Sequence, residues 1–132
     1  MKPEVLRMDV ADNSRLALAK ALRELADGSS EIALRAALSR SYYSIFHAAN
    51  ILLGDVKHEN IVKKLEVVDP ELSVRVKDLK QLRSQADYDL GFVEREYKGN
   101  LEKFQLDARQ RVNEGLTVFN RILGEIERKS RA

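Results

Sequence analysis

Two short stretches of this chain hold residue types that could do chemistry. In "SRSYYSIFH", Arg40, Tyr43 and His47 are spaced by three and four, so a helix carries them as one stripe. Arg40 and His47 stand two turns apart, ~10 Å along the axis, with Tyr43 between them. As chemistry, Arg40 would hold a phosphate and His47 would give or take a proton. As packing, Tyr43 and His47 are core-edge residues whose polar tips find partners on the next helix or a second subunit. In "LRSQADYDL", Arg83 and Asp87 lie at i, i+4, which permits an ion pair along one face, and Tyr88 follows. That pair is either a plain surface feature worth ~0.3–0.5 kcal/mol or part of a face turned to a ligand or partner.

Other chemistries find no support. The six glycines never cluster, so no phosphate-cradling loop is present. His47 and His58 are the only histidines, and neither follows a glutamate by three residues, as a di-iron bundle requires. With no cysteine, thiolate metal sites, Cys nucleophiles and disulfides are excluded. No spacing supports a serine–histidine–carboxylate triad. The expectation is a protein with no metal and no cofactor.

The elements that must position these residues are helical. Apolar residues recur at three and four through most of the chain, and no segment alternates with a period of two. A first helix is expected over about Asn13 to Ala26, with Leu16, Ala19, Leu22 and Ala26 on its stripe and Leu18 and Leu25 widening it. "DGSS" then supplies Gly28 as a C-cap and Ser29 or Ser30 as an N-cap. The second helix spans about Glu31 to Leu53 with Leu34, Leu38, Tyr42, Ile45, Ala49 and Leu52 inward, and Gly54-Asp55 ends it. "HENIVKKLEVV" reads as a shorter helix. "DPEL" opens the next, with Asp69 as N-cap, Pro70 at the first helical position and Glu71 at the positive dipole end. That helix turns Leu72, Val76, Leu79, Leu82, Ala86 and Leu90 to the core. "GFVEREYKGN" reads as a loop or frayed turn. A last helix covers about Leu101 to Arg128, with Leu101, Phe104, Ala108, Val112, Phe119, Ile122 and Ile126 inward. Long amphipathic helices joined by short links imply an all-α antiparallel bundle.

At 132 residues the chain fits one domain, 1–132, with one ordinary core. Its net charge is +2 and its pI near 8.9, with lysines and arginines mixed among acids. This mild basicity permits contact with RNA or nucleotides without pointing to it. The longest stretch free of Asp, Glu, Lys and Arg, Ser41 to Gly54, falls short of the ~20 apolar residues that cross a bilayer. "MKPEVLRMDV" has no apolar h-region, so no signal peptide and no membrane association are expected; with no cysteine, a cytoplasmic location fits.

"ALSRSYYSIFHAANILL", followed by "KHENIV" and "LKQLRSQADYDL", resembles a HEPN domain. The similarity is to a small stand-alone prokaryotic group with a "YYxxFHAA" helix and a later "RxxADY" segment, and it covers about Glu31 to Leu90. The resemblance implies a four-helix up-and-down bundle, here with an additional short helix. It also implies homodimers and a minimal nucleotidyltransferase as partner, in some cases as a toxin–antitoxin pair. Active members are metal-independent ribonucleases that use an arginine, four to six intervening residues and a histidine. Counted from Arg83, that histidine should stand at position 88, 89 or 90, where this chain has Tyr88, Asp89 and Leu90. Arg40 and His47 have the literal spacing, but on the earlier helix, within the "YYxxFHAA" signature.

The reading that follows is a non-enzymatic helical binding module. Arg40, Tyr43, His47, Arg83, Asp87 and Tyr88 would line a groove, with arginine meeting phosphate and tyrosine stacking on a base. On this reading His47 is a packed, hydrogen-bonded residue. The alternative is a metal-independent endoribonuclease, with His47 as general acid or base and Arg40 or Arg83 stabilising the charged phosphate. Apolar residues on more than one face of the second helix, Tyr43 with Ala36 and Phe46 with Leu53, suggest a second packed surface and a homodimer.

Overall fold

The structure, a computed structural model, describes Leu16, Ala19, Lys20 and Arg23 and then residues 30–131. Those four early residues are helical, and Leu16 is 67% exposed rather than inward. The rest of the expected first helix lies outside the described residues. Five helices follow: α1 (Glu31–Leu53), α2 (Ile61–Val68), α3 (Pro70–Tyr88), α4 (Phe92–Glu96) and α5 (Leu101–Arg131). No strand occurs among the described residues, and the fold is an all-α bundle.

Local chemistry sets the helix ends. Ser30 caps α1 by accepting the Ala33 N–H at 3.3 Å. At the other end Gly54 takes φ 68°, where a side chain would be strained, and its N–H reaches the Asn50 carbonyl at 2.9 Å. Asn50 then fixes the exit, because its Oδ1 accepts the Val56 N–H at 2.9 Å. Asp69 serves two helices. Its N–H bonds the Leu65 carbonyl to close α2, and its carboxylate accepts the Glu71 N–H at 2.9 Å to open α3, with Pro70 first.

α1 is the central element, packed against α5, α3 and α2. Its expected stripe is buried, together with Ala37 and Ala48. α3 contributes Leu72, Val76, Leu79, Leu82 and Ala86, and α5 contributes Phe104, Ala108, Val112, Phe119 and Ile122. α3 runs antiparallel to α1, with Tyr43 meeting Arg83 and Arg35 meeting the end of α3. It also runs antiparallel to α5, since Arg111 lies 3.8 Å from Asp78. α1 and α5 are therefore parallel, and the Lys129 ammonium reaches the Leu52 carbonyl at 3.5 Å. They approach closely because Gly115 lacks a side chain: a Cβ there would lie 3.1 Å from Leu79 Cδ2 and 3.2 Å from Ile45 Cδ1.

Three sequence expectations fail here. "GFVEREYKGN" is not a loop, since it contains α4, with Phe92 and Val93 buried. Phe92 meets Phe104 edge-on at 5.3 Å, so burial of two apolar side chains holds a helix too short to stand alone. The chain then turns through Lys98 and Gly99, both at positive φ, into α5. Leu90 is 89% exposed because α3 ends at Tyr88 and the extended Asp89 turns the next residue outward. Leu101, the first residue of α5, is also exposed.

Gly115 and Gly124 lie in the same helix but in opposite surroundings, since nothing stands within 4 Å of a Cβ at Gly124. Gly124→Ala should raise unfolding stability by ~0.5–1 kcal/mol. Gly115→Val should lower it by ~1–3 kcal/mol through overpacking. Urea unfolding of both variants checks this, and effects of the same sign would contradict the close approach at Gly115.

Candidate functional site

The antiparallel register of α1 and α3 sets Arg83 against two adjacent tyrosines. Tyr42 is fully buried and Tyr43 half-buried. The Arg83 guanidinium carbon stands 4.8 Å from the Tyr43 ring centre, 4.9 Å from that of Tyr42 and 5.5 Å from that of Tyr88. Arg83 Nη2 donates to the Tyr43 hydroxyl at 2.5 Å. Its Nε lies 2.9 Å from Asp87 Oδ2, yet the N–H is not aimed at that oxygen, so this is a charge contact rather than a hydrogen bond. Ser39 Oγ donates to the same carboxylate oxygen at 3.3 Å and ties Asp87 to α1.

Arg83 is only 6% exposed. Burying a guanidinium costs several kcal/mol. Asp87 offsets this, as do the tyrosine faces, each worth up to ~2 kcal/mol to a desolvated cation. The Arg83–Asp87 pair is thus not a plain surface feature. The guanidinium is enclosed and charge-balanced, so an approaching phosphate cannot reach it without displacing its partners.

A second ring of contacts comes from the segment after α1, where Gly54 and Asp55, both at positive φ, fold the chain back. This places His58 on Phe46, ring centres 4.1 Å apart and planes 19° from parallel. His58 Nδ1 lies 2.8 Å from the Tyr42 hydroxyl. Burial pushes that hydroxyl up to about 12 although Arg83 pulls the other way, so it keeps its proton and donates to neutral His58. The Lys80 ammonium donates to the His58 carbonyl. Partial burial lowers the His58 pKa, and the positive charges of Arg83, Lys80 and His47 lower it further, against Glu59.

The structure therefore brings together Tyr43, Arg83, Asp87 and Tyr88. His47 is exposed at the margin, its ring 6.4 Å from Tyr43 and 5.8 Å from Phe46. The hydrogen-bonded histidine is His58, not His47. Arg40 is half-buried one turn before Tyr43. The faces of α1 read as surplus are partly used within the chain, since Phe46 receives His58 and Tyr43 receives Arg83.

Sequence reasoning missed His58, whose place depends on the fold of the turn before it, and Arg35. Arg35 crosses to the end of α3, where Nη1 donates to the carbonyls of Ala86 and Asp89 at 2.9 Å each and Nη2 to that of Leu90 at 3.1 Å. A helix end needs such donors, but nothing in the sequence says which residue supplies them. Among the described residues no group of histidines and carboxylates could hold a metal, and no helix is long and apolar enough to cross a membrane.

Comparison with protein-family models, with curated proteins and with solved structures gave no match to this chain.

The lowered His58 pKa makes stability depend on pH. The unfolded histidine, near 6.5, binds protons more readily than the folded one. Its contribution is complete above ~6.5 and is lost as pH falls from there through the folded value. Melting temperature should thus drop between pH 7.5 and 5.5 in the native protein and drop less in His58→Gln. The carboxylates of Asp89 and Glu125, held low by Arg95 and by Arg128 with Arg121, act only below ~4.5 and do not confuse the window. Matching pH profiles for both proteins would remove His58 as the cause.

Proposed function

We propose that this chain is a HEPN-type helical binding module without catalytic activity. It works as a homodimer and partners a minimal nucleotidyltransferase in a cytoplasmic, toxin–antitoxin-like pair. Arg83 carries the proposal. It joins the two motif segments, Tyr42 and Tyr43 of one and Asp87 and Tyr88 of the other, in a single enclosed cluster. An arginine that stabilises a reacting phosphate must be open to it, and this one is spent on tyrosines and a carboxylate. Residues 88 to 90 offer no histidine, and His47 has no hydrogen-bonded orienting group among the described residues. On this reading Arg83 and Asp87 support the site from beneath. Arg40, Tyr43, His47 and Tyr88 form the rim that meets a partner, nucleotide or RNA.

The ribonuclease reading keeps one observation in its favour: two imidazoles, His47 and His58, lie within electrostatic range of each other beside Arg83. The test separates the two. The protein should form a stoichiometric complex with a minimal nucleotidyltransferase encoded beside it. RNA incubated with it in EDTA should stay intact, and His47→Ala should change neither melting temperature nor the RNA. Cleavage in EDTA that His47→Ala reduces by the ~10²–10⁴-fold typical of a general acid or base, with stability unaltered, would establish the enzyme instead.

A further inference from the structure

A groove of about 550 Å³ runs between α2 and α3, lined by Val62, Lys77, Lys80, Gln81, Ser84 and Gln85. Its lining holds two ammonium groups and no carboxylate. The nearby acids of α3 are already neutralised: Asp87 lies 2.9 Å from Arg83, and Asp78 lies 3.8 Å from Arg111. The groove therefore presents uncompensated positive charge, although the chain as a whole carries only +2. Lys80 is held in place by its bond to the His58 carbonyl, and Lys77 is exposed one turn before it.

The groove leads to an aromatic face. Tyr88 is 74% exposed, yet one side of its ring is held by the Arg83 guanidinium at 5.5 Å. Side chains on a helix lean toward its N-terminus, so this ring overhangs the turn of Ser84 at the end of the groove. From Lys77 to Tyr88 the face extends ~16 Å. It carries in order two cations, amide and hydroxyl groups that can donate and accept, and a ring with one open side.

We infer that this face binds single-stranded nucleic acid, with phosphates on Lys77 and Lys80 and a base stacked on the open side of Tyr88. An acidic peptide would use the lysines but leave the held ring idle. A strand uses both, because every base has a stacking face and every linkage a charge. The inference stands on the groove and not on the family reading, since Arg83 serves only to hold Tyr88.

Fluorescence anisotropy with a labelled oligouridine, over a range of salt concentrations, tests this on the full chain. Binding should weaken with salt at a slope of roughly −0.7 per phosphate engaged. Lys77→Ala should lower that slope by about one such unit, whereas Lys103→Ala on α5 should leave it unchanged. Lys80→Ala should act like Lys77→Ala, but it also frees the His58 carbonyl, so Lys77→Ala with an intact helical signal decides the matter. Tyr88→Ala should weaken binding roughly 5- to 150-fold with the slope kept, and Tyr88→Phe should bind like the native protein. Three results would overturn the inference: no binding at low salt, equal losses from Lys77→Ala and Lys103→Ala, or a duplex or acidic peptide held as tightly as the single strand. Complex formation with a nucleotidyltransferase is scored separately, so either result can fail without the other.

Discussion

A guanidinium buried inside a helical bundle needs its charge balanced and its five N–H groups placed, and α1 and α3 are arranged to meet that need. Arg83 extends from α3 into the space beside Tyr42 and Tyr43 of α1, with Asp87 one turn further along its own helix. Arg35 makes the reverse crossing, from α1 to the last carbonyls of α3. The two exchanges lie about two turns apart on each helix and fix both the spacing and the register of the pair. A slide of one turn would orphan an arginine at each end, and apolar packing alone does not impose that penalty. The polar residues of an otherwise apolar α1 are thus part of what specifies the fold.

The other local features extend from this seat. Tyr42 shows one ring face to Arg83 and its hydroxyl to His58, which draws the segment after α1 back across the bundle. His58 in turn covers Phe46 and offers its carbonyl to Lys80. At the opposite end Arg35 lies over the Phe92 ring at 5.0 Å, so the close of α3 and the start of α4 share one cation. Surface chemistry inherits this order: Tyr88 is exposed but not loose, and Lys80 is cationic but anchored.

The legible part of this fold was written in short-range signals. Ser30 and Gly54 bound α1, and Asp69-Pro70-Glu71 opens α3, because caps are made by neighbours in sequence. The stripes of α1 and α3 were readable from spacing alone, with Leu90 misassigned because the helix stops two residues before it. α4 was missed because Gly91 and "KGN" look like loop chemistry, and only burial of Phe92 and Val93 makes the segment helical. The site was half legible. Tyr43, Arg83, Asp87 and Tyr88 were named and do meet, whereas the hydrogen-bonded histidine was expected at 47 and stands at 58. Periodicity identifies a face, but the partner of a face depends on how a turn such as Gly54-Asp55 redirects the chain.

The single residue Asp69 between α2 and α3 has a kinetic consequence. Contacts between these two helices close almost no loop, since one residue ends the first and caps the second. Contacts between α1 and α5 instead join residues some 70 apart in the chain, such as Leu52 and Lys129 at a separation of 77. The entropy of closing a loop must be met before its contacts contribute, which favours an α2–α3 hairpin as the early structured unit and parallel docking of α5 as the late step. Folding and unfolding rates of Leu65→Ala and Phe119→Ala would decide the order: the first should slow folding, and the second should mainly speed unfolding.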